Sequence, residues 1–146
     1  AIAFCRWLSA KTETSIRLPT EWEWQQAATG GDTKRIYPWK GKWDSSRCNS
    51  AESGLSRTTV VGMYPAGASW QGVHDMVGNV WEWCLNYYER PEEPEAIRIN
   101  TADEDRGLRG GSWYSDQEEL LVSERNWDGA DSQNFDIGFR LAQDIS

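Results

Sequence analysis

Residues 72–84 read GVHDMVGNVWEWC, and the rest of the chain is easiest to place around them. The glycines at 72 and 78 punctuate a turn. From Val80 onward the run VWEWCLNYY (80–88) is rich in aromatic and β-branched residues and reads as a strand. Asp75, Asn79 and Glu82 put three side-chain oxygen donors within eight residues, around the turn at Gly78. Hard cations collect several oxygens from carboxylates and backbone carbonyls, so calcium is one reading of this spacing. The other is that Asp75 and Asn79 cap turns. Spacing alone does not separate the two.

Upstream lies RLPTEWEWQQAATGG (17–31), a helix signature. Thr20 is placed to cap it, Glu23 three residues on completes a capping box, and Gly30-Gly31 end it. Ile2, Cys5 and Leu8 have helical spacing in residues 1–10. Residues 32–72 show little periodicity, with TTVVGMY (58–64) as a short extended candidate and PEEPEA (91–96) as an acidic loop. GLRGGSW (107–113) and GFRLAQ (138–143) read as further strands. Two helices, several short strands and much ordered loop make an α+β domain, expected to occupy 1–146 as one unit.

Bulk chemistry narrows the function. A net charge of −8 opposes binding to nucleic acid or to an anionic membrane surface and is compatible with bound cations. No apolar run is long enough to span a bilayer, so membrane insertion is not expected. Cys5, Cys48 and Cys84 are widely spaced, without a C-x-x-C. An odd count with no metal-ligand rhythm favours a reducing compartment, with one disulfide plus a free thiol as the alternative. The cytoplasm is therefore expected for this stretch of chain, or the cell surface if the full-length protein carries a signal. The lone His74 has no second His or Cys pair to make a transition-metal site with. The glycines of RGGSW are followed by no helix pattern, which removes a phosphate loop. Ten tryptophans exceed what a core of this size needs, although most are expected to be framework.

Five motifs in order, RLPTEWEWQQAATGG, YPWKGKWD (37–44), GVHDMVGNVWEWC, LRGGSW (108–113) and IGFRLA (137–142), resemble the formylglycine-generating enzyme, or sulfatase-modifying factor, family. The resemblance implies a C-type-lectin-like fold, with an N-terminal portion, including a strand that completes the sheet, lying outside these residues. It implies structural calcium at Asp75, Gly78, Val80 and Glu82, with Gly78 and Val80 giving carbonyls and Asp75 standing where the family has Asn. A second family site would begin at Asn49. The family's catalytic step uses two cysteines after the GGS[YW] motif that bind copper, and the matching positions here are Ser115 and Leu120. A hydroxyl and an aliphatic chain supply neither a soft copper ligand nor a thiolate. Related sulfoxide synthases take iron-binding histidines from another domain, and this chain has His74 alone. Copper oxidase chemistry is thus an alternative that the residues oppose. A catalytically dead accessory domain is another.

Between GGSW and GFR the sequence is polar and irregular, with aromatics scattered through it. This segment, 113–136, resembles the variable region of diversity-generating retroelement proteins, in which a reverse transcriptase rewrites adenines of a template. Tyr114, Ser115, Asp116, Asp128, Gly129, Ser132, Phe135 and Asp136 are each reachable from an Asn codon by changing adenines alone. Together with Glu119, Leu121, Glu124 and Trp127 they form the expected binding surface. The resemblance implies a non-catalytic module that recognises a protein ligand. Rigid aromatics would supply contact area at low entropic cost, held by a framework that includes Arg109, Trp113, Arg125, Gly138, Phe139 and Arg140.

Overall fold

The computed structural model describes residues 1–92 and 104–144. Within them lie helix α1 (Ile2–Thr12), β1 (Ile16–Arg17), helix α2 (Glu21–Thr29), β2 (Trp81–Tyr87), β3 (Arg106–Arg109), β4 (Arg125–Asp128), β5 (Ile137–Gly138) and β6 (Ala142–Gln143). Short 3₁₀ turns and irregular backbone join them. The architecture is α+β, as the sequence predicts.

Local chemistry sets α2. The Thr20 hydroxyl accepts from the Glu23 amide at 3.2 Å, and the Glu23 carboxylate accepts from the Thr20 amide at 2.8 Å. Two of the orphan donors at the helix start are thereby satisfied reciprocally. Gly30 ends the helix in the left-handed region, its N–H on the Gln26 carbonyl at 2.8 Å. Trp24 and Ala28 point into the main core with Tyr37, Trp39, Cys48, Met76, Val77, Cys84, Leu120 and Val122. A smaller cluster of Cys5, Leu18 and Leu85, with Ile2 and Trp83 against it, seats α1.

The main sheet has the order β4-β3-β2-β5. Strands β2, β3 and β4 pair antiparallel. The β2–β5 pair is parallel, Trp81 opposite Ile137 and Glu82 opposite Gly138. Since β5 is two residues long, the parallel pairing is confined to one edge of this sheet. β2 is central and buried on both faces, so it carries no hydrophobic alternation. The single strand expected at 138–143 is two: β5 pairs with β2, and β6 pairs with β1 in a separate two-stranded sheet. The residues between them turn Arg140 onto Glu82. TTVVGMY forms no strand. Val60 and Val61 stand exposed, and the backbone turns at Gly62, whose N–H donates to Asp75 Oδ2 at 2.7 Å. With no neighbouring strand to pair, β-branched propensity decides nothing there. Of PEEPEA, residues 93–96 lie outside the described residues.

Candidate functional site

Both ends of the 113–136 segment are tied to one turn. On the entry side, the Gly78 N–H donates to the Gly110 carbonyl at 2.8 Å and the Trp113 N–H donates to the Asn79 carbonyl at 3.0 Å. On the exit side, the Trp81 N–H donates to the Asp136 carbonyl at 2.8 Å. The Ser112 hydroxyl bridges the two ends, donating to Asp136 Oδ2 at 3.1 Å. Gly78 must be glycine: its φ is +78°, and a Cβ there would sit 2.4 Å from the Asn49 carbonyl oxygen.

Inside the segment the backbone is pinned repeatedly. The Ser115 carbonyl accepts from the Ala51 amide at 3.0 Å, and the Val122 amide donates to the Ile36 carbonyl at 2.9 Å. Leu120 and Val122 are core residues. The segment then forms β4, a strand that its irregular composition does not announce. Register with β3 is fixed by backbone pairing and by Arg125, which clamps buried Glu21 through Nε at 2.6 Å and Nη2 at 2.8 Å. Arg109 reaches the same carboxylate at 3.2 Å, so one buried acid holds two strands. Beyond β4, Asp128 organises the next loop, accepting from the Gly129 amide, the Ser132 hydroxyl and the Asn134 amide side chain.

The expected surface residues divide by exposure. Tyr114 and Phe135 are 72% and 76% exposed, and Trp127 is 50% exposed. Asp116 and Glu119 are also exposed, on a 3₁₀ turn that Asp116 caps through the Glu118 amide at 3.0 Å. Leu121, Glu124, Asp128, Gly129, Ser132 and Asp136 are half-buried, with Leu121 packed against the core. Ser115 is 2% exposed, its Oγ accepting from the Ser112 amide at 3.2 Å, so its side chain is framework rather than surface.

The three aromatics do not form one patch. Trp113, half-buried, touches Tyr114 and Phe135 alike, with ring centroids 5.7 Å apart in each pair. Trp127 instead packs on Tyr88 at 6.3 Å. β4 and β5 are opposite edges of the sheet, three strand spacings apart, or roughly 14 Å. Read as framework from sequence, Trp113 also contacts both exposed rings. The GGSW motif marks its position but not its neighbour Phe135.

The turn at 75–82 does not fit a calcium ion held by Glu82. That carboxylate is buried and accepts from Trp24 Nε1 at 2.8 Å, Arg140 Nε at 2.5 Å and Arg140 Nη2 at 2.8 Å. Arg140 Nη2 also donates to the carbonyls of His74 and Asp75, at 3.2 and 3.1 Å. A guanidinium thus sits among the oxygens that a metal would need. Asp75 Oδ2 is taken by the Gly62 amide, and the Gly78 carbonyl accepts from the Val80 amide at 2.9 Å. Asn49 is buried with both ends of its carboxamide in use: Nδ2 donates to the Arg57 carbonyl at 2.8 Å, and Oδ1 accepts from the Ser53 hydroxyl at 2.9 Å. Among the described residues, no three His, Cys, Asp or Glu side chains converge as a metal site.

The catalytic positions of the resemblance are closed. Ser115 is buried, and Leu120 is 0% exposed in the core. Cys5, Cys48 and Cys84 are all free and buried. Burial pushes the Cys48 thiol up to about 12, with Glu52 adding to it, and pushes the Cys84 thiol higher still. These are thiols without accessible thiolate.

Comparison with known proteins agrees with this frame. The Sulfatase-modifying factor enzyme 1-like domain matches residues 1–145. The chain belongs to this family. It is 34% identical over 158 aligned residues to the inactive C-alpha-formylglycine-generating enzyme 2 of Bos taurus, covering 97% of this chain and 46% of the relative. It is 35% identical to the hercynine oxygenase of Mycolicibacterium smegmatis, covering 99% of this chain and 36% of the relative. Among solved structures, PvdO of Pseudomonas aeruginosa superposes with a TM-score of 0.81 at 27% identity, covering 98% of this chain and 58% of that one. Treponema denticola variable protein 1 superposes with a TM-score of 0.70 at 29% identity, covering 88% and 47%. This sulfatase-modifying-factor-like chain therefore spans about half, or less, of the length of these curated relatives. Among the described residues no helix is long and apolar enough to cross a membrane.

Proposed function

We propose that this chain is a non-catalytic binding module that presents Tyr114, Phe135 and their neighbours to a protein ligand, on a scaffold of the kind used by diversity-generating retroelement variable proteins. One observation carries the reading. The exposed rings of Tyr114 and Phe135 stand on backbone sewn at both ends to Gly78–Trp81, while the positions of the family's catalytic cysteines are a buried serine and a core leucine. Similarity to Treponema denticola variable protein 1 and to an inactive formylglycine-generating enzyme of cattle supports it. A copper oxidase acting on a cysteine of a target protein is the competing reading. It would need a reactive thiol, and all three thiols here are buried.

The first test is genetic. A near-copy of the codons for residues 113–140, beside a reverse-transcriptase gene and differing only at its adenines, is the expected finding. Its absence would remove diversification and leave a fixed surface. The second test is functional. Copper, oxygen and a cysteine-containing peptide should give no oxygen uptake, and measurable turnover would return the oxidase reading.

A further inference from the structure

We propose that the surface built on Tyr114 and Phe135 takes a basic segment of a partner protein, in which Lys or Arg side chains flank an apolar anchor. This rests on the binding-module reading and specifies its partner. The patch itself is apolar and aromatic. Tyr114 and Phe135 each contact Trp113, and both rings are open to solvent. Aromatic faces attract cations as well as apolar groups, through the negative face of the ring.

The surroundings choose between those ligands. Asp116, Glu118, Glu119 and Asp136 lie within a few residues of Tyr114 or Phe135, whereas Glu124 and Asp128 are at β4, on the far edge of the sheet, as is the segment's one base, Arg125. Arg125 is not free to offset them, because its guanidinium is bound to buried Glu21. Asp116 and Asp136 accept hydrogen bonds from neutral donors, the Glu118 amide and the Ser112 hydroxyl, and neither is ion-paired by these contacts. Glu118 and Glu119 stand exposed on the 3₁₀ turn that folds back against Gly111, beside the turn that carries Tyr114. An acidic ligand meets repulsion here. A neutral ligand must strip water from carboxylates and returns hydrogen bonds without the opposite charge. A basic ligand exchanges that water for charge-assisted contacts, and long-range attraction speeds its encounter.

The test is selection of a random-peptide phage library on the immobilised protein, followed by fluorescence polarisation on the selected peptides. The expected peptides carry a net positive charge, and their affinity falls about tenfold as salt rises from about 0.05 to about 0.5 M, where screening shortens from more than 10 Å to a few ångströms. Tyr114→Ala with Phe135→Ala abolishes their binding. Glu119→Lys weakens it severalfold, whereas Glu13→Lys, the same charge change on the C-terminal cap of α1, leaves it unaltered. Selected peptides that need Tyr114 and Phe135 but are neutral or acidic would overturn the basic partner and leave the binding surface standing. Equal weakening by Glu119→Lys and Glu13→Lys would reduce the charge effect to non-specific attraction and overturn it too. A library yielding no binder dependent on Tyr114 and Phe135 would sink both this inference and the binding-module reading.

Discussion

Replacing Glu82 by alanine separates two accounts of the 75–82 turn. In the first, Glu82 is the anion of a buried network. It accepts three hydrogen bonds, one from Trp24 and two from Arg140. The alanine variant leaves Arg140, whose side chain is 21% exposed, facing the His74 and Asp75 carbonyls without its carboxylate. It also leaves the Trp24 N–H unpaired in the core. Breaking a fully buried pair costs about 3–5 kcal/mol, and partial access of water to Arg140 puts this one near the lower end, about 3 kcal/mol. For a chain of this size that lowers Tm by roughly 6–12 °C. Differential scanning calorimetry with and without a calcium chelator is the assay. On this account the chelator leaves the wild type unmoved, because Arg140 already supplies the positive charge. Arg140→Gln in the Glu82→Ala background then costs little more. In the second account Glu82 holds calcium, as the family resemblance implies. The chelator would then lower the wild-type Tm to that of Glu82→Ala and leave the variant unchanged. That pattern would refute the network argument.

Three further outcomes are expected. Gly78→Ala should cost at least about 2 kcal/mol, since it combines a left-handed φ with a Cβ 2.4 Å from a carbonyl oxygen. Gly54→Ala, with φ +67° and open space around it, should cost about half of that, as read by urea unfolding. A thiol reagent at mildly alkaline pH should label none of the three cysteines until the protein is unfolded, and labelling of native Cys48 or Cys84 would contradict their burial. Arg17, and then the Thr20 amide and hydroxyl, hold the Glu23 carboxyl down to about 2 from its ordinary 4.5. A depressed folded-state value means stability that is present above about 4.5 and lost as pH falls towards about 2. Unfolding across that window should be shallower in Glu23→Gln than in wild type.

How much of this was legible in sequence depended on the range of the interaction. The capping box of α2 is written within four consecutive residues, and its glycine stop follows directly, so both could be read. The core strand β2 could be read because its aromatic and apolar residues are contiguous. What escaped is what distant residues decide. RNWD carries no alternation, and β4 exists because its backbone pairs with β3 and Arg125 finds Glu21, 104 positions away. Ser115 looks like any loop serine, yet it is buried where its carbonyl accepts from the amide of distant Ala51 and its hydroxyl from that of Ser112. The spacing of Asp75, Asn79 and Glu82 suggested oxygen ligands, but that Arg140 would arrive from 58 residues away to occupy Glu82 is not a property of the motif. On the surface, exposure of Tyr114, Trp127 and Phe135 agreed with the sequence, whereas their separation into two places required the strand order.

That separation bears on how a scaffold can carry a changeable surface. Most ties that fix the 113–136 backbone use a main-chain group, a core side chain or the Glu21 cluster, and the side-chain contacts of Asp136 and Asp128 add to them. The Gly78, Trp81, Ala51 and Ile36 contacts are backbone to backbone, and Leu120 and Val122 anchor from within. Tyr114 and Phe135 contribute to none of these ties, and beyond Trp113 their rings face water. Changes at these two positions therefore alter what the surface presents at little cost in folding free energy, as surface substitutions away from buried networks generally do. Asp128 is different, because its carboxylate holds Gly129, Ser132 and Asn134 in one loop conformation. Substitution there changes the shape of the loop as well as its chemistry. Wherever the segment varies, position 128 should tolerate fewer residue types than positions 114 and 135, and its variants should change together with Ser132.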